Sequence, residues 1–364
     1  MRAEYAARTG RRAILVALLL LTLTAVAGRV TAAPQPVCIA LGDSIAAGLG
    51  STLPSERGFA PQVCTLLGRY TGRPARLINL AVPGESTHSF LSGQQMERLR
   101  QEVSSLQGQQ SEIALVMVSL GGNDLLALAD KGQNDRQAGL TRFQQDYPAA
   151  LAAVREVVGM HVPLVVTTVY DLTEGDPSAQ GTDAWWVAQF NAVIQQAAQH
   201  QGAHVADLAS AFRGHIREWT WYPVDVHPTN DGYAAIARLV WEAAGIDREP
   251  PTLVIERPRP GMVPRRYVTV RVQASDPSGV SEVEIVDGQT TTPLIQLPDG
   301  QTWAGLWPYP LGQASATLTV RAVDAAGHAR ETSVTVTLGP STTPTPSPAA
   351  TASSISTPSP GAGP

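Results

Sequence analysis

Residues 37–44 read VCIALGDS and residues 113–124 read IALVMVSLGGND. In each stretch, a run of apolar residues without polar alternation ends at glycine and then at polar side chains. Such runs are typical of strands in a parallel sheet that helices cover on both faces. In an open α/β sheet, ligands bind beyond the carboxyl ends of the strands. We therefore expect Ser44 and Asn123 to face the same crevice.

The residues around these two stretches alternate between strand and helix patterns. Helices are predicted where apolar residues recur every three or four positions, over 143–158, 184–200 and 230–244. Alternating elements of this kind indicate a parallel sheet between two layers of helices. The predicted fold class is therefore α/β, a three-layer αβα sandwich over residues 34–246. Its strands are predicted over 37–41, 76–80, 113–120, 163–169 and 204–206.

The pattern changes near Pro250 to short segments in which apolar and polar residues alternate. Gly, Pro and Asp clusters separate these segments, which predicts a small all-β sandwich over 250–339. Residues 323–328, VDAAGH, resemble the turn before the last strand of bacterial immunoglobulin-like modules. Residues 340–364 are rich in Pro, Ser and Thr and carry no charge, which predicts a disordered spacer or glycosylated stalk. The predicted strands of the sandwich cover 267–274, 280–286, 316–322 and 332–338.

The first residues have the pattern of an export signal. Four arginines before residue 13 precede an apolar stretch over 13–26, and small residues follow over 30–33. This order predicts a signal peptide over 1–33 and an exported, secreted bacterial protein. The pair Arg11-Arg12 leaves twin-arginine export as an alternative to the general route. With a net charge of −5, the chain offers no basic field for nucleic acid.

Four peptides carry the strongest functional signal, and they occur in a fixed order at the ends of predicted elements. In this order they resemble the sequence blocks of the SGNH or GDSL hydrolases, which are esterases and lipases with a flavodoxin-like αβα core. The resemblance covers residues 36–245. The peptides are Gly42-Asp43-Ser44, Val82-Pro83-Gly84, Gly121-Gly122-Asn123-Asp124 and Asp225-Val226-His227-Pro228.

The resemblance implies a role for each block. Ser44 would be the nucleophile and His227 the general base, since a serine hydroxyl must lose its proton as it attacks an ester carbonyl. The backbone N–H groups of Ser44 and Gly84 and the side-chain amide of Asn123 would stabilise the oxyanion. Taken singly, Ser44 also fits a helix N-cap, Gly84 a plain turn and Asn123 an Asx turn.

The histidine block departs from the family in one position. The usual aspartate three residues before the histidine is replaced by Val224, and Asp225 lies only two residues before His227. Two alternatives follow. Either the carboxylate of Asp225 orients the imidazole, or a backbone carbonyl such as that of Val224 accepts the Nδ1 proton.

Several other side chains are candidates for lesser roles. Cys38 and Cys64 fit either a disulfide or two buried thiols. His88 follows Gly84 and would border the cleft. The other histidines, including His328, lack zinc-like spacing, so neither a metal nor a cofactor is predicted. Five aromatic residues would either line the substrate pocket or anchor loops to the core, namely Trp185, Trp186, Trp219, Trp221 and Tyr222.

The sequence thus predicts an exported serine esterase or lipase that hydrolyses a carboxylic ester through an acyl-serine intermediate. Its substrate would be a small or polymer-attached ester. The β-sandwich would contact a cell surface or polysaccharide. The alternative is a secreted, non-catalytic protein for glycan binding or adhesion.

Overall fold

The computed structural model describes residues 33–109, 111–263, 267–308 and 314–338. Contacts divide the chain into two compact units, the first ending at Ala244 and the second beginning at Gly245. The predicted signal peptide, apart from Ala33, and the predicted tail over 340–364 lie outside the described residues. Within them, no helix combines the length and apolar character that a membrane span requires.

A parallel five-stranded sheet forms the centre of the first unit. Its strand order is β2-β1-β3-β4-β5, the order of flavodoxin-like folds. The long apolar strands β1 and β3 are neighbours in the middle of the sheet, where Gly42 pairs with Ser119 at their carboxyl ends. The strands are β1 (Gln35–Gly42), β2 (Arg76–Asn79), β3 (Ser111–Ser119), β4 (Leu164–Thr167) and β5 (His204–Ala206).

Helices connect these strands and cover both faces of the sheet. Two short helices begin shortly after the carboxyl ends of β1 and β3, and they carry Ser44 and Asn123. In chain order, the helices are α1 (Ser44–Ala47), α2 (Pro54–Arg57), α3 (Phe59–Thr71), α4 (Thr87–Ser92), α5 (Gln94–Gln107), α6 (Gly122–Leu126), α7 (Gln133–Val158), α8 (Asp183–His200), α9 (Leu208–Ala211), α10 (Ile216–Trp219) and α11 (Asn230–Ala244).

The two faces of the sheet have separate helical partners. Residues Ile39 and Leu41 of β1 belong to the same buried cluster as Phe143 of α7 and Phe190 of α8, whose rings stack with centroids 4.4 Å apart. On the other face, α11 contacts α3, β4 and β5 and buries Trp241 completely. The predicted α/β three-layer sandwich is therefore confirmed.

The second unit consists of two sheets with mainly antiparallel pairing, as expected for an immunoglobulin-like module. Their strand orders are β10-β9-β13-β14-β7 and β11-β12-β8-β6. Inward-facing side chains such as Val272, Leu318 and Val320 are fully buried between them. The strands are β6 (Thr252–Arg257), β7 (Gly261–Val263), β8 (Tyr267–Ser275), β9 (Val280–Asp287), β10 (Thr290–Pro293), β11 (Ile295–Gln296), β12 (Thr302–Pro308), β13 (Ser315–Asp324) and β14 (Ala329–Leu338).

The two cysteines of the first unit are buried, free thiols. Cys38 lies on β1 and Cys64 on α3. A hydrogen bond with Cys64, together with burial, raises the pKa of the Cys38 thiol above its ordinary value. Of the two alternatives, the structure therefore shows the packed thiols.

We expect residues 34–248 to fold without the rest of the chain, because the first unit has its own buried core on both faces of its sheet. Far-UV circular dichroism should show mixed α/β structure, and heating should give one cooperative transition. A matched chain that ends at 235 lacks Val240 and Trp241, both fully buried, and should not fold. A non-cooperative melt of the 34–248 chain would contradict this prediction.

Candidate active site

Ser44 lies at the carboxyl end of β1, at the point where the strand turns into helix α1. Gly42 makes this turn possible: its φ is +120°, and a Cβ added there would lie 1.8 Å from the carbonyl oxygen of Ser119. Asp43 then caps α1 by accepting the backbone N–H of Ile45 at 3.0 Å. Burial raises the pKa of the Asp43 carboxyl to about 7. Ser44 is thus presented on a tight strand-to-helix turn.

His227 connects Ser44 to a carboxylate. Its Nε2 lies 2.9 Å from Oγ of Ser44, and its Nδ1 lies 2.6 Å from Oδ1 of Asp225. An ionised carboxylate only accepts hydrogen bonds, so Nδ1 carries the proton and the lone pair of Nε2 faces the serine hydroxyl. This geometry favours the Asp225 carboxylate over a backbone carbonyl as the group that orients the imidazole.

The charge on Asp225 is maintained by the same contact. Partial burial of this carboxyl opposes ionisation, but the hydrogen bond from His227 and the charge of that ring outweigh it and lower the pKa of Asp225. The side chain is 45% exposed, so water also solvates the carboxylate. Asp225 therefore remains ionised at neutral pH and can stabilise an imidazolium at His227.

Neighbouring residues hold the histidine loop in place. The hydroxyl of Tyr170 donates to the carbonyl of Val226 at 2.7 Å, and the indole N–H of Trp221 donates to the carbonyl of Gly50 at 2.8 Å. Gly50 lies against the side chain of His227, because a Cβ added there would lie 2.6 Å from Cβ of His227. These contacts fix the loop that carries both His227 and Asp225.

Two of the three predicted oxyanion donors, Gly84 and Asn123, belong to loops that are hydrogen-bonded to each other. Asn123 is at the start of α6, and its Nδ2 donates to the carbonyl of Glu85 at 2.9 Å. A side-chain amide has two N–H groups, which leaves the second for another acceptor. Asp124 accepts the backbone N–H of Thr87 at 2.9 Å. Gly84, with φ of +84°, lies in the turn just before these contacts.

A buried glutamine, Gln95, joins the loop that carries Ser44 to the loop that carries Gly84. The sequence motifs did not identify this residue. Oε1 of Gln95 accepts the N–H of Gly42 at 2.6 Å, and its Nε2 donates to the carbonyl of Gly42 at 3.0 Å. The same Nε2 lies 2.9 Å from Oε2 of Glu85. Gln95 is only 1% exposed. A buried glutamine on an amphipathic helix is the one sequence signal that could have identified it.

The lesser candidates divide between the pocket and the surface. Trp186 and Tyr222 line the cavity that opens beside Ser44, whereas Trp219 stacks on His215 with ring centroids 4.2 Å apart. Trp185 packs edge-on against Trp186. His88 is a surface residue, with its side chain 76% exposed and its Nδ1 3.4 Å from Asp146.

The second unit brings together three side chains of the types that bind metals. Among the described residues, ligand atoms of Asp247, Asp324 and His328 lie within 4.8 Å of one another. Each already has a protein partner: Oδ1 of Asp324 accepts the N–H of His328 at 2.9 Å, and Asp247 accepts from Ser278. With these hydrogen bonds, the cluster stabilises the turn between β13 and β14.

Comparison with known families agrees with this geometry. GDSL-like lipases and acylhydrolases match residues 40–235, more than half of the chain. The chain belongs to the GDSL-like lipase/acylhydrolase family. It is therefore a carboxylic ester hydrolase, which decides against the non-catalytic alternative. Bacterial immunoglobulin domains match residues 251–320 of the second unit. No curated protein gives a significant match.

Solved structures resemble part of the chain at low sequence identity. An acetylxylan esterase from Geobacillus stearothermophilus is 16% identical, with a TM-score of 0.46, over 58% of this chain and 94% of that one. An α/β hydrolase enzyme from the metagenome of Lake Arreo, Spain, is 18% identical, with a TM-score of 0.44, over 58% of this chain and 96% of that one.

Replacing Asp225 by asparagine should lower kcat for p-nitrophenyl butyrate by about 10³- to 10⁴-fold with little change in KM, because the ring loses its orientation and its counter-charge. Asp231→Asn, an exposed carboxylate in the first turn of α11, serves as the matched control and should retain wild-type kcat. A loss below about tenfold for Asp225→Asn would instead indicate that a backbone carbonyl orients His227.

Replacing Gln95 by methionine should lower the free energy of unfolding by about 1–3 kcal/mol, because the buried N–H of Gly42 loses its acceptor. Urea denaturation at pH 7 measures this. Gln94→Met makes the same change at the exposed neighbouring position of α5 and should cost less than about 0.5 kcal/mol. Equal costs for the two variants would show that the Gln95 bonds contribute nothing.

Proposed function

We propose that this protein is an exported serine esterase that hydrolyses a carboxylic ester through an acyl-serine intermediate. The observation that carries the proposal is the chain of contacts from Oγ of Ser44 through His227 to the carboxylate of Asp225, at 2.9 Å and 2.6 Å. A nucleophile, a base and a group that orients the base are the elements of acyl transfer by serine.

In the first half of the reaction, Nε2 of His227 takes the proton of Ser44 as Oγ attacks the ester carbonyl carbon. The carbonyl oxygen becomes negative in the tetrahedral intermediate. The intermediate collapses when His227 gives its proton to the leaving alcohol oxygen, and the acyl group stays on Ser44. In the second half, His227 removes a proton from water as the water oxygen attacks the acyl carbon. It then returns that proton to Oγ of Ser44 as the bond between Oγ and the acyl carbon breaks and the carboxylic acid leaves.

Three donors would stabilise the negative oxygen in both halves. They are the backbone N–H groups of Ser44 and Gly84 and the remaining N–H of the Asn123 amide. The hydrogen bond from Asn123 to the carbonyl of Glu85 supports this assignment, because it holds the amide against the loop that carries Gly84. Loss of one such donor typically lowers kcat by about 10²- to 10³-fold.

The proposal also includes export of the protein and a binding role for the second unit. Residues 1–33 supply the basic, apolar and small-residue segments of a signal peptide. Residues 34–246 are the catalytic domain, 250–339 the immunoglobulin-like domain and 340–364 a spacer. The second domain would contact a cell surface or polysaccharide that bears the ester. The protein should appear in the culture medium of an expressing bacterium, and Edman sequencing of that protein should begin near Ala33. Protein that is found only inside the cells and retains Met1 would contradict export.

The acyl-serine mechanism predicts that Ser44→Ala, His227→Ala and the double variant have similar residual activity on p-nitrophenyl butyrate. Residues of one catalytic unit act together, so their losses do not add. Rapid acid quenching of the wild-type reaction followed by mass spectrometry should find a butyryl group on the peptide that contains Ser44. Ser92→Ala, at an exposed position of α4, is the matched control. Near-normal kcat in Ser44→Ala would refute the mechanism.

A further inference from the structure

A cavity of about 320 Å³ opens beside Ser44 and runs between helices α6 and α8. Its walls come from the end of β3, from α6 and the turn after it, from the loop after β4, and from the first half of α8. Apolar side chains supply about half of its lining residues and most of its exposed surface. Six of them are Leu120, Leu125, Leu128, Val169, Val187 and Phe190.

The charged side chains of the lining are already paired within the protein. Arg136 and Asp183 form an ion pair at 2.5 Å. Asp171 accepts the N–H groups of Thr173 and Gly175, and Asp43 caps α1. A site that binds a polar group, such as a sugar ring, presents unpaired donors and acceptors to the ligand. In this cavity the charged groups are paired, and apolar atoms form most of the exposed wall.

The size of the cavity indicates how long an acyl chain it can hold. An apolar cavity of about 150 Å³ binds one benzene molecule, which has six carbon atoms, so a cavity of about 320 Å³ has room for about twelve carbon atoms. An acetyl group would leave most of it unfilled. Leu126, which is 45% exposed and also lines the cavity, extends the apolar wall to the surface.

We propose that the cavity is the acyl-binding site and that the protein prefers medium-chain esters, with acyl groups of about eight to twelve carbon atoms. This inference rests on the proposed function, since it takes Ser44 as the acylated residue. The alkyl chain lies between α6 and α8, and the leaving alcohol lies outside the cavity. Each buried methylene group stabilises the bound acyl chain, so the preference increases with chain length until the cavity is full.

The first test measures kcat/KM of the full chain on p-nitrophenyl esters from acetate to palmitate. We expect an increase of about fourfold for each added methylene group from butyrate to a maximum near decanoate, and a decrease towards palmitate. A panel that also contains acetylated xylan covers the polar alternative. A maximum at acetate, a flat profile, or a preference for the acetylated polysaccharide would overturn the proposal.

Two variants locate the alkyl chain. Val187→Phe fills the cavity from α8 and should lower the ratio of kcat/KM for decanoate to that for acetate by at least about tenfold. Ala192→Phe adds the same ring to the exposed side of α8 and should leave the ratio unchanged. Because Val187 is buried, Ala129→Phe, at an exposed position that also lines the cavity, is a second filling variant. Unchanged ratios in both filling variants would overturn the proposal.

Calorimetric titration with free decanoate separates the acyl site from catalysis. Decanoate should bind the full chain, acetate should not, and Val187→Phe should weaken decanoate binding. If decanoate binds but no ester is hydrolysed, the proposed function is wrong, and with it the assignment of an acyl site, although the cavity binds an alkyl chain. If acetyl esters are hydrolysed and decanoate does not bind, the serine mechanism stands and the acyl-site proposal is wrong.

Discussion

The side chain of Gln95 is the contact on which the geometry of the active site depends. It accepts a hydrogen bond from the N–H of Gly42 at 2.6 Å and donates one to the carbonyl of Gly42. Both backbone polar groups of Gly42 are therefore hydrogen-bonded to this side chain. Its amide also reaches Glu85, whose carbonyl in turn holds Asn123. The loops that follow three neighbouring strands are therefore one buried network. Such networks are rigid because each unpaired group inside them would be costly.

Much of this arrangement can be predicted from the sequence. For the parts that cannot be predicted, the physical reason can be identified. The apolar runs of β1 and β3 and the periodicity of α11 are strong local signals, and the structure confirms all three elements. Strand β12 (Thr302–Pro308) was missed, since its sequence TWAGLWP contains Gly and Pro and does not alternate. Gln95 was missed for a different reason: its partner Gly42 is 53 positions away, and only the folded chain brings them together.

The orientation of His227 could not be decided from spacing alone. Asp225 is one residue closer to the histidine than the family pattern has it, and a strand-like backbone would point these two side chains to the same face without fixing their distance. The structure resolves this through tertiary contacts. Tyr170, which stacks on Phe212, holds the carbonyl of the intervening Val226, and the ring and carboxylate then meet. The contribution of Tyr170 lies outside the four sequence blocks.

The distance along the chain between Ser44 and His227, 183 positions, has a consequence for the order of events during folding. Long-range contacts form only after the entropy of closing the intervening loop has been overcome. The proposed nucleophile is among the first segments to be synthesised, whereas its proposed base precedes α11, the last element of the unit. With these roles, any intermediate that lacks the docked histidine loop has an inert serine. Under the proposed mechanism, hydrolytic activity begins only when the nucleophile, the base and the carboxylate have been brought together.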